Sequence, residues 1–260
     1  MDYDAIIFEK INATALIKLN RPRVLNAMNQ QLWLDLLHAL EEIRNDPVIK
    51  VLIITGEGRA FSTGADLKES RNRSLDDYRR YLESLQEATR TLLRFEKPTI
   101  AAINGYALGS GYELALACDI RIAALDAPIG SPEARVTSSV TGGAFRLIQD
   151  LVGPGKASEL LFTAENITGE EAARIGLVNH AVPLDILMEQ ALAMAETIAK
   201  NSAFSMARIK NGLIMARGEA SLETLMTYEI EACLACVSTK EREQSLDSFD
   251  NRKQSTKEAD

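Results

Sequence analysis

The sequence predicts an α/β protein whose strand-containing part comes first and whose final third is helical. Three observations lead there. The runs Val51-Leu-Ile-Ile-Thr55 and Thr99-Ile-Ala-Ala-Ile103 are continuously apolar rather than alternating, as in strands buried on both faces of a parallel sheet. Amphipathic helical stretches stand between such runs, so successive strands are joined by crossovers. Towards the C-terminus only helical patterns remain.

Taken in order, Tyr3 to Ile11 and Ala13 to Asn20 read as two short strands rich in Ile, Leu and Phe, an opening hairpin. A helix follows over about 29–45, with Leu32, Leu36, Leu40 and Ile43 on one face. The strand at 51–55 is ended by Gly56-Glu-Gly58, and residues 75–95 form a long amphipathic helix closed by Lys97-Pro98. The strand at 99–103, a helix from about Ser110 to Cys118 and a strand from Asp119 to Ala124 complete a βαβ unit. Gly153-Pro154-Gly155 separates two helices, and Thr168-Gly-Glu-Glu171 has the form of a capping box that starts another. Gly176 to Val182 reads as a short strand stopped by Pro183. Helices over about 184–200, 202–216, 221–237 and 239–253 follow, with a charged tail expected to fray.

At 260 residues the natural reading is a single α/β domain with a helical appendage. An apolar fraction of 46% is ample for a core. No apolar run approaches the length of a bilayer span, and Met1-Asp2-Tyr3-Asp4 lacks a signal-peptide pattern, so a cytoplasmic location is expected. The net charge is −8, from 37 acidic and 29 basic side chains, with no basic stretch interleaved with aromatics. That argues against a duplex-binding surface, but a few backbone N–H groups can still hold an anionic small ligand. The three cysteines, Cys118, Cys233 and Cys236, offer no disulfide framework. Cys233-Leu-Ala-Cys236 lies in an apolar helical stretch without a second pair and is read as buried structural thiols.

Glu113 and Glu133 are the groups best placed for chemistry. The first follows Gly109-Ser110-Gly111, a glycine-rich turn opening an apolar helix; the second stands in Ser131-Pro132-Glu133, in a loop beyond the next strand. A strand-helix-strand unit can bring both carboxyls to one site, where they divide acid and base work. A second glycine turn, Ala60-Phe-Ser-Thr-Gly64-Ala65-Asp66-Leu67, follows the strand at 51–55. In a parallel sheet the turns after strand C-termini converge at one edge, and N–H groups from two such turns could grip one carbonyl oxygen. The same glycines could equally serve only tight turns and close helix packing. Other motifs fall away. Gly153-Pro-Gly-Lys-Ala-Ser158 resembles the end of a P-loop, but Asp150 stands where its first glycine belongs. His38 and His180 have no nucleophile partner, and Ser110 lacks the G-x-S-x-G elbow.

Phe61-Ser-Thr-Gly-Ala-Asp-Leu67, Lys97 through Gly111 and Glu113-Leu-Ala-Leu-Ala-Cys-Asp119 resemble the crotonase (enoyl-CoA hydratase/isomerase) superfamily. Leu19-Asn-Arg-Pro22 with Asn26-Ala-Met28, Ser131-Pro-Glu133 and Gly142-Gly143 extend the likeness over nearly the whole chain. The resemblance implies a spiral of ββα units over residues 1–195, carrying the CoA and catalytic site, followed by a helical trimerisation region over 196–260. It implies a homotrimer or a dimer of trimers, an acyl-CoA thioester as ligand, and no cofactor, coenzyme A entering as part of the substrate. It implies neither a metal, a nucleic-acid partner nor a membrane. Matched residue by residue, the backbone N–H groups of Ala65 and Ser110 correspond to the oxyanion-hole donors. Glu113 and Glu133 correspond to the two catalytic glutamates of the hydratases, expected to titrate as a coupled pair. Ala60, Ala65, Asp66, Leu67, Lys68 and Ser110 fall in the segments that contact substrate and CoA, and Arg23 is a further candidate beside the Asn-Arg-Pro motif.

One segment departs from the family pattern. Hydratases commonly carry a Gly-Leu-Ile-Pro-Gly-like loop between the second glutamate and the double glycine; here it is Ala134-Arg-Val-Thr-Ser-Ser-Val-Thr141. Thr137, Ser138 and Ser139 could bind a polar acyl chain but are read as ordinary turn residues. The expected reaction is hydration of an enoyl-CoA. The altered loop leaves the acyl group open and keeps in view the family's isomerase, carnitinyl-type dehydratase and thioester hydrolase reactions. A non-catalytic RNA-binding member is the remote alternative.

Overall fold

The computed structural model describes residues 3–71, 73–218, 220–239 and 242. In chain order its elements are β1 (Ile6–Ile11), β2 (Thr14–Leu19), α1 (Gln30–Asn45), β3 (Val51–Gly56), β4 (Ala60–Ser62), α2 (Leu67–Ser70), α3 (Leu75–Leu93), β5 (Thr99–Ile103), β6 (Tyr106–Leu108), α4 (Ser110–Ala117), β7 (Ile120–Ala124), β8 (Ile129–Gly130), α5 (Ala144–Thr163), α6 (Gly169–Arg174), β9 (His180–Val182), α7 (Leu187–Ala199), α8 (Ala203–Arg217) and α9 (Leu222–Val237). Short 3-10 turns stand at Pro22–Val24, Glu133–Val136 and Leu184–Ile186. The chain divides into two compact units, Met1–Lys200 and Asn201–Asp260.

The first unit is built on a sheet of order β1-β2-β3-β5-β7-β9, antiparallel only between β1 and β2. Its strands read as continuous apolar runs because both faces are covered. Ala15, Ile17, Leu19, Leu52, Ile54, Ala101 and Ile103 point into a core shared with Leu32, Trp33, Leu36, Leu40 and Ile43 of α1. The alternate residues Leu16, Val51, Ile53, Ile100, Ala102 and Ile122 meet Leu187, Ala191 and Ala195 of α7. Each such Leu or Ile side chain, wholly buried, contributes about 1.5–3 kcal/mol relative to exposure. The helix starts are marked by side chains: Asn29 Oδ1 accepts from Leu32 N–H (3.0 Å) at α1, and Ser74 and Asp77 form a reciprocal capping box at α3.

A second, smaller sheet of three parallel strands, β4-β6-β8, is not visible in the residue patterns taken alone. The chain enters the large sheet with β3, β5 and β7 and each time turns directly into the small one with β4, β6 and β8. These strands span three, three and two residues, too short to show a period of two. The repeated step of large-sheet strand, small-sheet strand and helix is the ββα spiral expected from the resemblance.

Other expectations are adjusted. The strand expected over 176–182 is confined to β9; before it, Leu177 and Val178 turn inward and both donate their N–H to the Ala172 carbonyl. The 184–200 helix begins as a 3-10 turn, and at α6 Thr168 accepts from Glu171 N–H while the Glu171 carboxylate holds Arg174. Gly153 (φ 77°, ψ 164°) breaks α5 into two helical segments as expected. The helix expected over 239–253 and the charged tail lie outside the described residues apart from Thr239 and Arg242.

The expectation of buried thiols fails at Cys233, which is exposed, while Cys236 is half-buried and Cys118 buried. The reason is that α9 buries none of its residues: Leu222, Met226, Ile230, Leu234 and Val237 form an exposed stripe at helical spacing. Tyr228 donates its hydroxyl to the Arg208 carbonyl (2.8 Å), tying α9 to α8 within the second unit.

Candidate active site

Each strand of the small sheet delivers one expected site residue. β4 ends at Ser62 and Ala65 follows; β6 ends at Leu108 and Ser110 follows; β8 ends at Gly130 and Glu133 follows. Because β4, β6 and β8 are parallel neighbours, the three turns leave the same end of the sheet, at the spacing of about 4.8 Å that separates paired strands.

The two glycine turns touch. Gly64 (φ 88°) and Gly109 (φ 52°) adopt backbone that L side chains avoid, and a Cβ on Gly64 would stand 2.8 Å from the Leu108 oxygen and 3.1 Å from Ser110 N. Ser110 is the first residue of α4, so its N–H has no acceptor inside the helix. The Ala65 segment is held by a parallel bridge to Met28, in which Met28 N–H reaches the Gly64 carbonyl (2.8 Å) and Asp66 N–H reaches the Met28 carbonyl (3.1 Å). That bridge leaves the Ala65 N–H unused. Tyr81, buried on α3, donates its hydroxyl to the same Met28 carbonyl (3.0 Å).

Asn26, wholly buried with a left-handed φ of 56°, ties these pieces together. Its amide donates to the Glu57 (3.0 Å) and Ala60 (2.7 Å) carbonyls, its side-chain oxygen accepts from Arg21 N–H, and its own carbonyl accepts from Ser62 Oγ (2.8 Å). Arg21 pairs with Asp66 at 2.9 Å. Asp66 also accepts from Lys68 and Glu69 N–H; burial pushes its carboxyl up, but the Arg21 guanidinium and these N–H groups outweigh that and leave it below the usual range. The Asp66 carboxylate is thus engaged in holding the turn. Ala60 is buried in β4 with its carbonyl committed to Asn26, whereas Arg23, Leu67 and Lys68 are exposed on the two segments that the Arg21–Asp66 pair joins.

The α4 helix carrying Glu113 is buried along its whole length. Its C-terminal end is braced by buried Arg121, which donates to the Cys118 carbonyl (2.6 Å) and the Leu177 carbonyl (2.9 Å). Glu113 is 2% exposed. Its carboxylate accepts from Thr141 Oγ1 (2.6 Å) and from Thr141 N–H. Burial pushes the Glu113 carboxyl up to about 7; the two Thr141 bonds oppose this and the charge of Glu133 adds to it. Glu133 opens a 3-10 turn and is half-buried; its carboxylate accepts from buried Ser131 Oγ. A Cβ on Gly109 would lie 2.6 Å from Glu133 Oε1, so this carboxylate rests against the turn that presents Ser110 N–H. The sequence-predicted Ala65, Ser110, Glu113 and Glu133 therefore converge.

In the hydroxyl-rich loop, Thr137 (φ 55°) and Ser138 close the 3-10 turn, Ser138 N–H donating to the Glu133 carbonyl (2.9 Å), and 134–139 are exposed. These are turn residues, as expected. The hydroxyl that reaches the site is instead that of Thr141. Thr141, Ser131, Asn26 and Tyr81 are missed by the sequence reading as supports of the site. Only a Ser two residues before Glu133 offered any local signal. His38 and His180 are exposed, and among the described residues no three His, Cys, Asp or Glu side chains gather as metal donors. No helix among the described residues is long and apolar enough to cross a membrane.

Comparison with known proteins places the whole chain in a family. Residues 9–258 match the family model described as enoyl-CoA hydratase/isomerase. The chain is 36% identical over 251 residues to a short-chain-enoyl-CoA hydratase of Clostridium acetobutylicum, covering 96% of this chain and 95% of that one. It is 35% identical over 250 residues to a crotonyl-CoA hydratase of Syntrophomonas wolfei subsp. wolfei, covering 96% of each. A crystal structure of an enoyl-CoA hydratase from Bacillus anthracis superposes with a TM-score of 0.93 at 33% identity, over 96% of this chain and 97% of that one. Similarity of this extent, running almost the full length of both chains, shows that the chain belongs to the enoyl-CoA hydratase/isomerase family.

Proposed function

We propose that this protein is an enoyl-CoA hydratase, adding water reversibly across the 2,3-double bond of a short-chain enoyl-CoA thioester. The observation that carries the reading is the position of the Glu133 carboxylate against Gly109, with Glu113 on the helix that the same turn opens. Two carboxyls beside one pair of backbone donors suit a reaction that both removes and delivers a proton. The N–H groups of Ala65 and Ser110 hold the thioester oxygen, where donors of this kind lower a barrier by about 2.7–4 kcal/mol each. One glutamate, as carboxylate, takes a proton from water as the water oxygen bonds to the β-carbon. The π electrons move towards the thioester as an enolate, and the other glutamate, as the acid, protonates the α-carbon. The product is the 3-hydroxyacyl-CoA, with a hydroxyl on the β-carbon and a hydrogen on the α-carbon, and the proton left on the first glutamate passes back to the second through solvent before the next turnover.

Coenzyme A arrives as part of the substrate, and no separate cofactor enters these steps. Exposed Arg23 and Lys68, on segments joined by the Arg21–Asp66 pair, offer cations for its phosphates. Ala65, Asp66 and Leu67, in the turn after β4, and Ala60, within that strand, form the segment against which the pantetheine end lies. The 1–195 region carries this site and 196–260 serves assembly as a trimer or dimer of trimers in the cytoplasm, with the exposed apolar stripe of α9 as support for a subunit contact. A mass above that of one 28.5 kDa chain in light scattering, lost in Ile230→Glu, checks the assembly.

Incubation with crotonyl-CoA tests the reaction: the enoyl-thioester absorbance falls as water adds. If no enoyl-CoA of several chain lengths loses that absorbance, the hydratase reading is wrong. Gain of absorbance from a 3-enoyl-CoA, without hydration, would put an isomerase in its place.

A further inference from the structure

We infer that Thr141 is a positioning residue for Glu113, its hydroxyl fixing the orientation of the carboxylate and favouring its ionised form. For its effect on turnover the inference rests on the hydratase reading above; for its effect on Glu113 it does not. Thr141 reaches Glu113 twice, the hydroxyl bonding Oε2 at 2.6 Å and the N–H bonding Oε1, so that both carboxylate oxygens are engaged by one residue. Such a two-point grip fixes the plane of the carboxyl group as well as its place. The grip itself is anchored: Val140 before it is buried, and the Thr141 carbonyl accepts from Ala144 N–H (2.9 Å) at the start of α5.

The two donors are not equivalent. A backbone N–H can only donate, whereas a hydroxyl donates to a carboxylate and accepts from a carboxylic acid. Both Thr141 bonds are charge-assisted when Glu113 is ionised, and protonation of Oε2 reverses the hydroxyl bond and weakens the set. The hydroxyl therefore opposes the burial that drives Glu113 towards its neutral form. Glu133 is the charged group that bears on Glu113, and Tyr112 on α4 responds to both carboxylates. From the elements packed around α4, Thr89 of α3 stands beside Gly142 and Ser62 of β4 beside Gly111, and neither titrates. Thr141 is thus the group that counters desolvation at this carboxyl.

Thr141→Val keeps the N–H and the side-chain size and removes the hydroxyl; Thr141→Ala repeats the removal with less bulk, and Thr141→Ser restores the hydroxyl. With crotonyl-CoA, Thr141→Val is expected to lower kcat about tenfold, the equivalent of one hydrogen bond to a charged group, with KM changed less than about twofold. The limb of its kcat/KM profile that Glu113 sets moves to higher pH, and Thr141→Ser returns both towards wild type. Independently of turnover, melting of Thr141→Val falls further below wild type at pH 8 than at pH 5, and this pH-dependent part disappears in a Glu113→Gln background. A wild-type kcat and pH profile in both Thr141→Val and Thr141→Ala would overturn the catalytic role. A melting loss equal at both pH values would overturn the coupling to Glu113. Should the wild-type protein hydrate no enoyl-CoA, the hydratase reading fails by itself while the melting comparison still decides the pairing.

Discussion

Glu113 and Glu133 stand twenty residues apart and serve the same glycine turn from opposite kinds of structure. Glu113 projects from α4, a helix with no exposed residue, and its carboxyl is gripped by a neighbouring chain segment. Glu133 projects from a 3-10 turn whose next residues are exposed, and its carboxyl is steadied by Ser131, two residues away in its own loop. Placement is therefore obtained differently. In the helix, burial sets the affinity and a distant contact sets the orientation. In the loop, orientation comes from local chain geometry, and contact with Gly109 brings the group to the site.

The contrast is broken most severely by removing the buried carboxyl. Glu113→Gln is expected to lower kcat/KM about a thousandfold, within the usual range for losing a general acid or base. The same variant sharpens the contrast in stability. The folded value of about 7 lies above the ordinary glutamate value, so the native state prefers the protonated form. Stability from this group is complete below about pH 4.5 and is lost as the pH rises through 7, a penalty of up to about 3 kcal/mol above that. Glu113→Gln removes the ionisation, so it melts above wild type at pH 8 and near it at pH 4.5; equal melting shifts at both values would contradict the assignment. Gly109→Ala strikes where the two carboxyls meet. A Cβ 2.6 Å from Glu133 Oε1, on backbone at φ 52°, is expected to cost about a hundredfold in kcat/KM and about 1–3 kcal/mol in urea unfolding. Ser131→Ala frees Glu133 without touching Glu113, and a loss of about three- to tenfold in kcat is expected from one hydrogen bond. Smallest is Ser138→Ala: its N–H, not its side chain, closes the turn, so unfolding moves by less than about 0.5 kcal/mol and activity is unchanged.

The parts of this site that were legible in the sequence are those with a local cause. Gly64 and Gly109 announce tight turns, the runs at 51–55 and 99–103 announce buried strands, and α1 shows its apolar face at Leu32, Leu36, Leu40 and Ile43. The motifs around Ala65, Ser110, Glu113 and Glu133 then brought the family into view. What stayed hidden depends on long-range contact. Thr141 meets Glu113 from 28 residues away, and Asn26 reaches Ala60 across 34 residues. Asn26 stands in a motif of the family likeness, but nothing local at either position says what its hydroxyl or amide holds. The thiols erred for a related reason: an apolar helix reads as buried whether or not the chain that carries it supplies the cover, and α9 is uncovered at Cys233. Strands β4, β6 and β8 were invisible because two or three residues cannot display an alternation.

Those three strands have a wider consequence. Since β4, β6 and β8 are adjacent strands of one parallel sheet, the turns after them are held side by side by backbone hydrogen bonding, with one register shift between Ala60 and Ser62 of β4. The intervening segments, from the four residues of α2 to the nineteen of α3, can vary in length at small entropic cost provided Tyr81 still reaches the Met28 carbonyl. New acyl preferences can therefore be written into the loops while the backbone N–H groups of Ala65 and Ser110, the proposed oxyanion donors, stay side by side.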